Sequence, residues 1–242
     1  MSNMPNSYGS YRSEPLGYES RDNSLTVAQF FNTVYAWMCV GLALTAVVGW
    51  YVAHSPLIGV IYASKGGYLF VGLAAFGIAW YVQSQAGKLA VPVATALFLL
   101  YAAVIGALVS GIYLIYPGKT LAAAFVVTGG TFGAMSLYGF VTKRDLSAMG
   151  SLFVMLAFGF IAASFVNLWV GSTMLDWIIT YAILILFIGI TAYQTQRLRQ
   201  IASQLQDQPQ LAHRYAIVGS LVLYIAFINL FLSILRILGD RR

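Results

Sequence analysis

Charged residues are scarce in this sequence, and their scarcity excludes a water-soluble globular protein. Only 8% of the 242 residues are charged, and 60% are hydrophobic. A soluble domain typically carries about 25% charged residues. The mean hydropathy is +0.80. Because such a chain cannot cover a globular surface with charge, the composition predicts an integral membrane protein whose partner is the lipid bilayer.

Cysteine, histidine and recognisable enzyme motifs are also lacking, which removes several kinds of site. The single cysteine, Cys39, lies inside an apolar run, so neither a disulfide framework nor a cysteine metal site is predicted. His54 and His213 are too isolated to suggest a metal pair. The sequence contains no HExxH, GxSxG or P-loop pattern. We therefore expect no enzyme, no cofactor and no bound metal.

What the sequence does contain is a series of charge-free stretches, each about as long as a membrane span. A helix needs about 20 apolar residues to cross about 30 Å of hydrocarbon. The predicted fold class is all-α, a polytopic membrane protein with seven transmembrane helices. They cover about 28–53, 67–83, 90–114, 120–142, 147–168, 175–194 and 215–238. Residues 1–26 are polar and predict a flexible tail, and residues 27–242 predict one membrane domain.

The 13 basic residues predict the orientation in the membrane. They are spread thinly between apolar runs instead of forming a patch, so the net charge of +6 does not favour nucleic-acid binding. Cytoplasmic flanks of membrane spans carry an excess of Lys and Arg. With a cytoplasmic N-terminus, eight basic residues lie on its side and five on the other. We predict that orientation; a re-entrant last helix, which would bring Arg236 back to the same side, stays open.

The polar residues inside the predicted spans are neutral. All seven acidic residues fall in tails, loops or helix ends, whereas a transporter usually places ionisable groups at membrane depth. Among the interior polar residues are Asn167, Gln194, Thr195 and Asn229. Hydrogen bonding within a helix bundle is the favoured interpretation, and a conduction path is the alternative.

Three charged residues near helix ends are candidates for loop or gating charges. Asp145 precedes the fifth predicted span and Asp176 begins the sixth, where a carboxylate suits a helix N-terminus. Arg236 lies one turn from the end of the last helix. Extension of its guanidinium to the lipid headgroups is favoured over a buried ion pair.

One predicted span has a helix face that is made of small residues. In "GGTFGAMS" (129–136), Gly129 and Gly133 are four residues apart. Small residues at that spacing let helix backbones approach closely in lipid. We predict a helix–helix contact there, with a conformational hinge as the alternative.

Three segments resemble the signature segments of the Bax inhibitor-1 family, in particular its bacterial branch of small inner-membrane proteins. They are "SLYGFVTKRDLSAMGS" (136–151), "GITAYQTQRL" (189–198) and "LYIAFINLFLSILRILG" (223–239). The resemblance runs in collinear order from about residue 27 to the end. It implies a fold in which the last helix is wrapped by the other six. For characterised relatives it also implies a calcium leak that is controlled by pH through two aspartates.

Both aspartate positions differ in this chain. Gln194 stands at the first, in "YQTQ", and Ala226 at the second, in "LYIAF". Two neighbouring carboxylates sense pH because both cannot ionise cheaply at low dielectric, and neither Gln nor Ala titrates. The flanking Thr195, Gln196 and Asn229 are retained. We therefore interpret the segment as a former sensor whose structure is preserved.

Two functions are compatible with the sequence. The first is a leak for Ca²⁺ or H⁺ in the bacterial inner membrane without the two-aspartate pH sensor, with Gln194, Ala226, Asn229, Thr195 and Gln196 along its pathway. The second is a non-transporting stress-response protein that modulates a membrane protease or a quality-control complex.

Overall fold

The computed structural model describes residues 17–62 and 65–239, and side chains are described over 27–62 and 70–239. Within these residues the chain is helical and has no strand. The helices are α1 (Gly17–Ala53), α2 (Leu57–Tyr62), α3 (Lys65–Ser84), α4 (Val91–Val109), α5 (Ile112–Ile115), α6 (Gly118–Val141), α7 (Met149–Val170), α8 (Thr173–Gln204) and α9 (Pro209–Leu238). The prediction of an all-α protein is confirmed.

Six helical segments of the described chain are long and apolar enough to cross a membrane. They are Val27–Ala53, Val91–Ile115, Gly118–Val141, Met149–Val170, Thr173–Gln204 and Pro209–Leu238. The predicted span 67–83 corresponds to α3, whose described apolar part, Phe70–Ser84, is shorter. The structure thus supports a multi-pass membrane protein with six candidate spans, and the count of seven stays a prediction.

Local sequence accounts for the connection between α7 and α8. Gly171 closes α7 with a φ of 65°, a left-handed conformation that glycine adopts without steric cost. Ser172 then caps α8 by accepting a hydrogen bond from the Leu175 N–H. The turn is therefore short, and it places the two helices side by side.

Helices α1 and α8 extend furthest beyond the predicted spans. Helix α1 begins at Gly17, so residues 17–26 of the predicted tail are helical, while residues 1–16 lie outside the described part. Helix α8 continues to Gln204, well past the predicted end at 194. The expensive step in helix formation is nucleation, so an existing helix can continue into water with polar residues. Hydropathy marks where a span ends, which is not always where its helix ends.

Helix α9 is the centre of the bundle. In its most apolar stretch 56% of the residues are buried, against 6% in α7. It packs against α1, α3, α4, α6 and α8, and the side chains of Leu223, Tyr224 and Leu230 have no exposed surface. Helix α7 instead packs on α8. The expectation that all other helices wrap the last one therefore needs one correction, because α7 lies outside that ring.

The two ends of the bundle differ in charge. Where α6 and α8 end and α9 begins, Arg199 donates to the Phe140 carbonyl at 2.6 Å and Arg214 to the Gly87 carbonyl at 3.3 Å. We call this the basic end, since six described basic residues lie there: Lys88, Lys143, Arg144, Arg197, Arg199 and Arg214. At the opposite end, α8 begins and α9 ends.

The glycines of α6 are used differently from the prediction. A Cβ built on Gly129, Gly130 or Gly133 would meet nothing within 4 Å, so no helix of the described chain packs on that face. A Cβ on Gly139 would instead lie 2.2 Å from the Ala192 carbonyl oxygen. The predicted contact at Gly129 and Gly133 is wrong, and the close approach of α6 and α8 occurs at Gly139.

Gly139→Ala should therefore destabilise the fold. The new methyl group collides with the backbone of α8, and overpacking of this kind costs about 1–3 kcal/mol, more than the gain of about 0.5–1 kcal/mol in helix propensity. Thermal unfolding of the purified protein in detergent measures the effect. Gly130→Ala, on the same helix but in open space, is the matched control. Equal melting temperatures for the two variants would contradict the assigned contact.

Candidate functional site

Three consecutive candidate residues on α8, Gln194, Thr195 and Gln196, point to three different neighbours. Successive residues of a helix are rotated by about 100° around its axis. Gln194 is half-buried, Thr195 is fully buried and Gln196 is 7% exposed. The predicted single site is therefore three contacts that share one turn of helix.

Gln194 faces a small cavity between α3, α8 and α9. The cavity has a volume of about 80 Å³, and its lining includes Gln83, Gln194, Arg197, Tyr215 and Val222. Amide, guanidinium and phenol groups thus surround a space beside the central helix. It lies near the basic end, because Tyr215 is in the second turn of α9.

Thr195 belongs to a chain of hydroxyl groups that joins α1, α6 and α8. The Thr195 and Ser136 hydroxyls are 3.0 Å apart, and Ser136 is also hydrogen-bonded to the Tyr35 hydroxyl. Thr195 donates to the Thr191 carbonyl of its own helix at 2.8 Å. These bonds fix the relative register of three helices without any charged group.

Gln196 holds the loop between α6 and α7. Its amide oxygen accepts from the Leu146 N–H at 2.9 Å, and its amide nitrogen donates to the Arg144 carbonyl at 2.7 Å and the Thr142 carbonyl at 3.5 Å. A side-chain amide suits this role because it has both donors and an acceptor. Gln196 is therefore a structural clamp for a loop that carries Lys143 and Arg144.

Ala226 and Asn229 of α9 have different surroundings. Ala226 is 1% exposed and belongs to the apolar core, one turn beyond Val222, which lines the Gln194 cavity. Asn229 lines a separate cavity of about 360 Å³ between α7 and α8 and donates to the Ile225 carbonyl of its own helix at 2.8 Å. Asn229 is therefore not part of the Gln194 cavity.

A polar cluster forms at the opposite end. Arg236 of α9 makes an ion pair with Asp176 in the first turn of α8. The Asn167 amide donates to the other oxygen of Asp176 at 3.5 Å and accepts from the Ser172 N–H at 3.0 Å. Arg236 therefore makes an ion pair, but the pair is not the buried one of the alternative interpretation, because both side chains remain more than one third exposed. Extension of the guanidinium to the headgroups stays a prediction.

Asp145 does not cap α7, contrary to the prediction. The N-cap position is Ala148, and Asp145 is exposed in the preceding loop. Its carboxylate accepts from the Ser147 N–H at 2.9 Å. Hydrogen bonds from the side chain and the backbone of Ser147 hold the pKa of this carboxyl below its ordinary value. Asp145 therefore stabilises a turn on the surface.

The sequence is similar to known proteins over most of its length. The family model "Inhibitor of apoptosis-promoting Bax1" matches residues 27–242. The chain belongs to the Bax inhibitor-1 family. It is 43% identical over 212 residues to "Inner membrane protein YbhL" of Escherichia coli, which covers 86% of this chain and 90% of that protein. It is 41% identical over 215 residues to an uncharacterized protein of Deinococcus radiodurans, covering 89% of this chain and 92% of that one.

Family membership and the apolar helices together establish an integral, multi-pass inner-membrane protein. The resemblance inferred from the three segments is confirmed. In the part of the chain with described side chains, no three His, Cys, Asp or Glu residues come close enough together to hold a metal ion.

Some polar contacts were not anticipated from the sequence. The Thr45 hydroxyl lies 2.6 Å from the hydroxyl of the buried Tyr224 and donates to the Ala102 carbonyl at 2.9 Å. Tyr35 and Ser136 were also not singled out. Partners more than 50 residues apart give no local signal, so only the tertiary structure reveals these pairs.

Gln196→Ala should loosen the loop between α6 and α7. Loss of the side-chain amide leaves three backbone groups without their partner, and such a loss costs about 1–3 kcal/mol. Hydrogen exchange should accelerate at the Leu146 amide, and the melting temperature should fall. Gln200→Ala, an exposed change one turn further along α8, is the matched control. Unchanged exchange at Leu146 would contradict the clamp.

The Asp176–Arg236 pair should contribute a small, salt-dependent coupling. A half-exposed ion pair is worth about 0.2–1 kcal/mol, and salt screens it. A double-mutant cycle with Asp176→Asn and Arg236→Gln, measured by unfolding in detergent at low and high salt, gives this coupling directly. Additive effects of the two substitutions at low salt would show that the pair does not join α8 to α9.

Proposed function

We propose that this protein is a slow leak for cations, Ca²⁺ or H⁺, whose opening does not depend on a carboxylate pair. The observation that carries the proposal is the cavity at Gln194, between α3, α8 and the central helix α9. It lies where the family resemblance places the pH-sensing contact. A cavity that brings four polar side chains against an otherwise apolar central helix is the natural place for a path to begin.

The path is closed beyond this cavity. Ala226 is 1% exposed, and Leu223 and Tyr224 have no exposed surface. Conduction therefore requires α9 to separate from α3 and α8. A cation would meet neutral oxygens there, from Gln83, Gln194 and Tyr215. Calcium prefers six to eight oxygens that include carboxylates, so binding along this path is weak.

Arg197 keeps the leak slow. Its side chain lines the same cavity, and a fixed positive charge there repels an approaching cation. Neutral Gln194 and Ala226 add no titrating group. The flux is therefore low and nearly independent of pH, in contrast to the behaviour that the resemblance implies for relatives with both aspartates.

Purified protein in liposomes that contain a calcium dye should pass Ca²⁺ faster than empty vesicles, with little change between about pH 6 and 8. The double variant Gln194→Asp with Ala226→Asp should restore steep pH dependence. Two carboxylates repel once both are ionised, which weakens the contact between α8 and α9, so the flux of this variant should rise with pH.

The matched control is Gln194→Asn with Ala226→Asn, which adds a polar group at Ala226 without a charge. Its flux should stay independent of pH. A flat profile for the Asp variant would contradict the assignment of these positions. Flux equal to that of empty vesicles at every pH would exclude the leak.

A second candidate is a non-transporting protein that modulates a membrane protease or a quality-control complex. Helix α7 favours it, because α7 packs chiefly on α8 and leaves most of its length exposed, including Leu168 and Trp169. An apolar helix on the rim of a bundle can pack against a helix of another membrane protein. Absence of flux in the liposome experiment would exclude the leak, and co-purification of a partner from native membranes would support this candidate.

A further inference from the structure

A groove runs between α1 and α6 on the membrane-facing surface of the bundle. Its volume is about 520 Å³, and Phe31, Tyr35, Cys39, Gly129, Gly133 and Phe227 are among the residues that line it. Phe227 of the central helix forms part of its floor. Cys39, Gly129 and Gly133 are exposed, so the groove is open to the lipid.

The groove is longer than one leaflet. Along α6 its lining extends from Phe125 to Phe140, close to the end of the helix, a rise of about 22 Å at 1.5 Å per residue. Half of the hydrocarbon core measures about 15 Å. The groove therefore covers the leaflet next to the basic end and reaches past the middle of the membrane.

The positively charged side chain of Arg199 lies at the end of the groove, beside Phe140. The guanidinium carbon of Arg199 lies 5.2 Å from the centre of the Phe140 ring, and the group donates to the Phe140 carbonyl at 2.6 Å. A guanidinium has five N–H donors, and among the described residues only this one bond is made. Arg199 is exposed, so further donors are available to a phosphate at headgroup level.

We propose that this groove binds one acyl chain of an anionic phospholipid, with the lipid phosphate on Arg199. The Tyr35 and Ser136 hydroxyls lie in the lining one turn deeper than Phe140, at the level of the ester groups of a seated lipid. A second copy of this chain fits less well, because a two-fold axis along the membrane normal brings two basic ends together. The proposal does not depend on the leak.

Native mass spectrometry of delipidated protein in detergent, with phosphatidylglycerol or phosphatidylcholine added, tests the proposal. Phosphatidylglycerol adducts should exceed phosphatidylcholine adducts. Arg199→Gln should lower the affinity for phosphatidylglycerol about fivefold, the effect of one basic residue near a lipid surface. Gly133→Leu, at a position where an added Cβ meets nothing within 4 Å, should lower it by a similar factor, because the acyl chain loses van der Waals contacts with the groove.

Two matched variants separate this site from general effects. Arg197→Gln removes the same charge from the same turn of α8 but faces the Gln194 cavity, and Gly130→Leu adds the same bulk to α6 outside the groove. Both should bind phosphatidylglycerol as the wild type does. Equal adducts of the two lipids, or equal losses for Arg197→Gln and Arg199→Gln, would overturn the proposal. The proposal would also be overturned if the wild type formed dimers that Gly133→Leu dissociates. If Gly133→Leu does not fold, the comparison of Arg197→Gln with Arg199→Gln decides the test.

Discussion

The hydrocarbon interior of the membrane offers no hydrogen-bond partner, and this constraint governs how the bundle uses its polar side chains. Most hydroxyls at membrane depth return to the carbonyl four residues earlier, as in Thr128, Thr191 and Ser220. Such a bond lowers the free-energy cost of placing a hydroxyl group in lipid. Thr45 and Thr195 make the same local bond and also reach another helix. Among the described residues, the Nε of Arg214 is the only buried side-chain nitrogen or oxygen without a partner. Neutral, locally satisfied groups are therefore what allow an apolar α9 to occupy the centre.

The same constraint bears on Gln194 and Ala226, the two positions where the family resemblance implies aspartates. A single carboxylate at Ala226, in a core position with 1% exposure, would be a buried charge without a partner, which costs several kcal/mol. With both carboxylates absent, α8 meets α9 through neutral side chains. The groups that fix α8 are then near the two ends of its membrane-spanning part. The Gln196 clamp lies at the basic end and the Asp176–Arg236 pair at the opposite end. These residues are separated by about 30 Å along the helix, the thickness of the hydrocarbon core.

The sequence predicted the all-α class, the approximate position of each apolar helix and, through three segments, the family. It did not reveal which neighbour each side chain meets. Gly133 and Gly139 look alike in the sequence, yet only Gly139 faces the α8 backbone, because the choice depends on how α6 is rotated in the bundle. Asp176 and Arg236 are 60 residues apart, and a charge near a helix end is compatible with either headgroup contact or pairing. Helical geometry alone requires Gln194, Thr195 and Gln196 to diverge, but the identity of their three neighbours is a tertiary property.

Arg197 and Arg199 show how one turn of α8 can serve two surfaces. They are two residues apart, so their side chains leave the helix in nearly opposite directions. Arg197 faces the Gln194 cavity, and Arg199 covers Phe140 at the groove between α1 and α6. A lipid seated against Arg199 would therefore lie on the side of α8 opposite to the Gln194 cavity, and the two proposed sites share one helix without sharing a side chain.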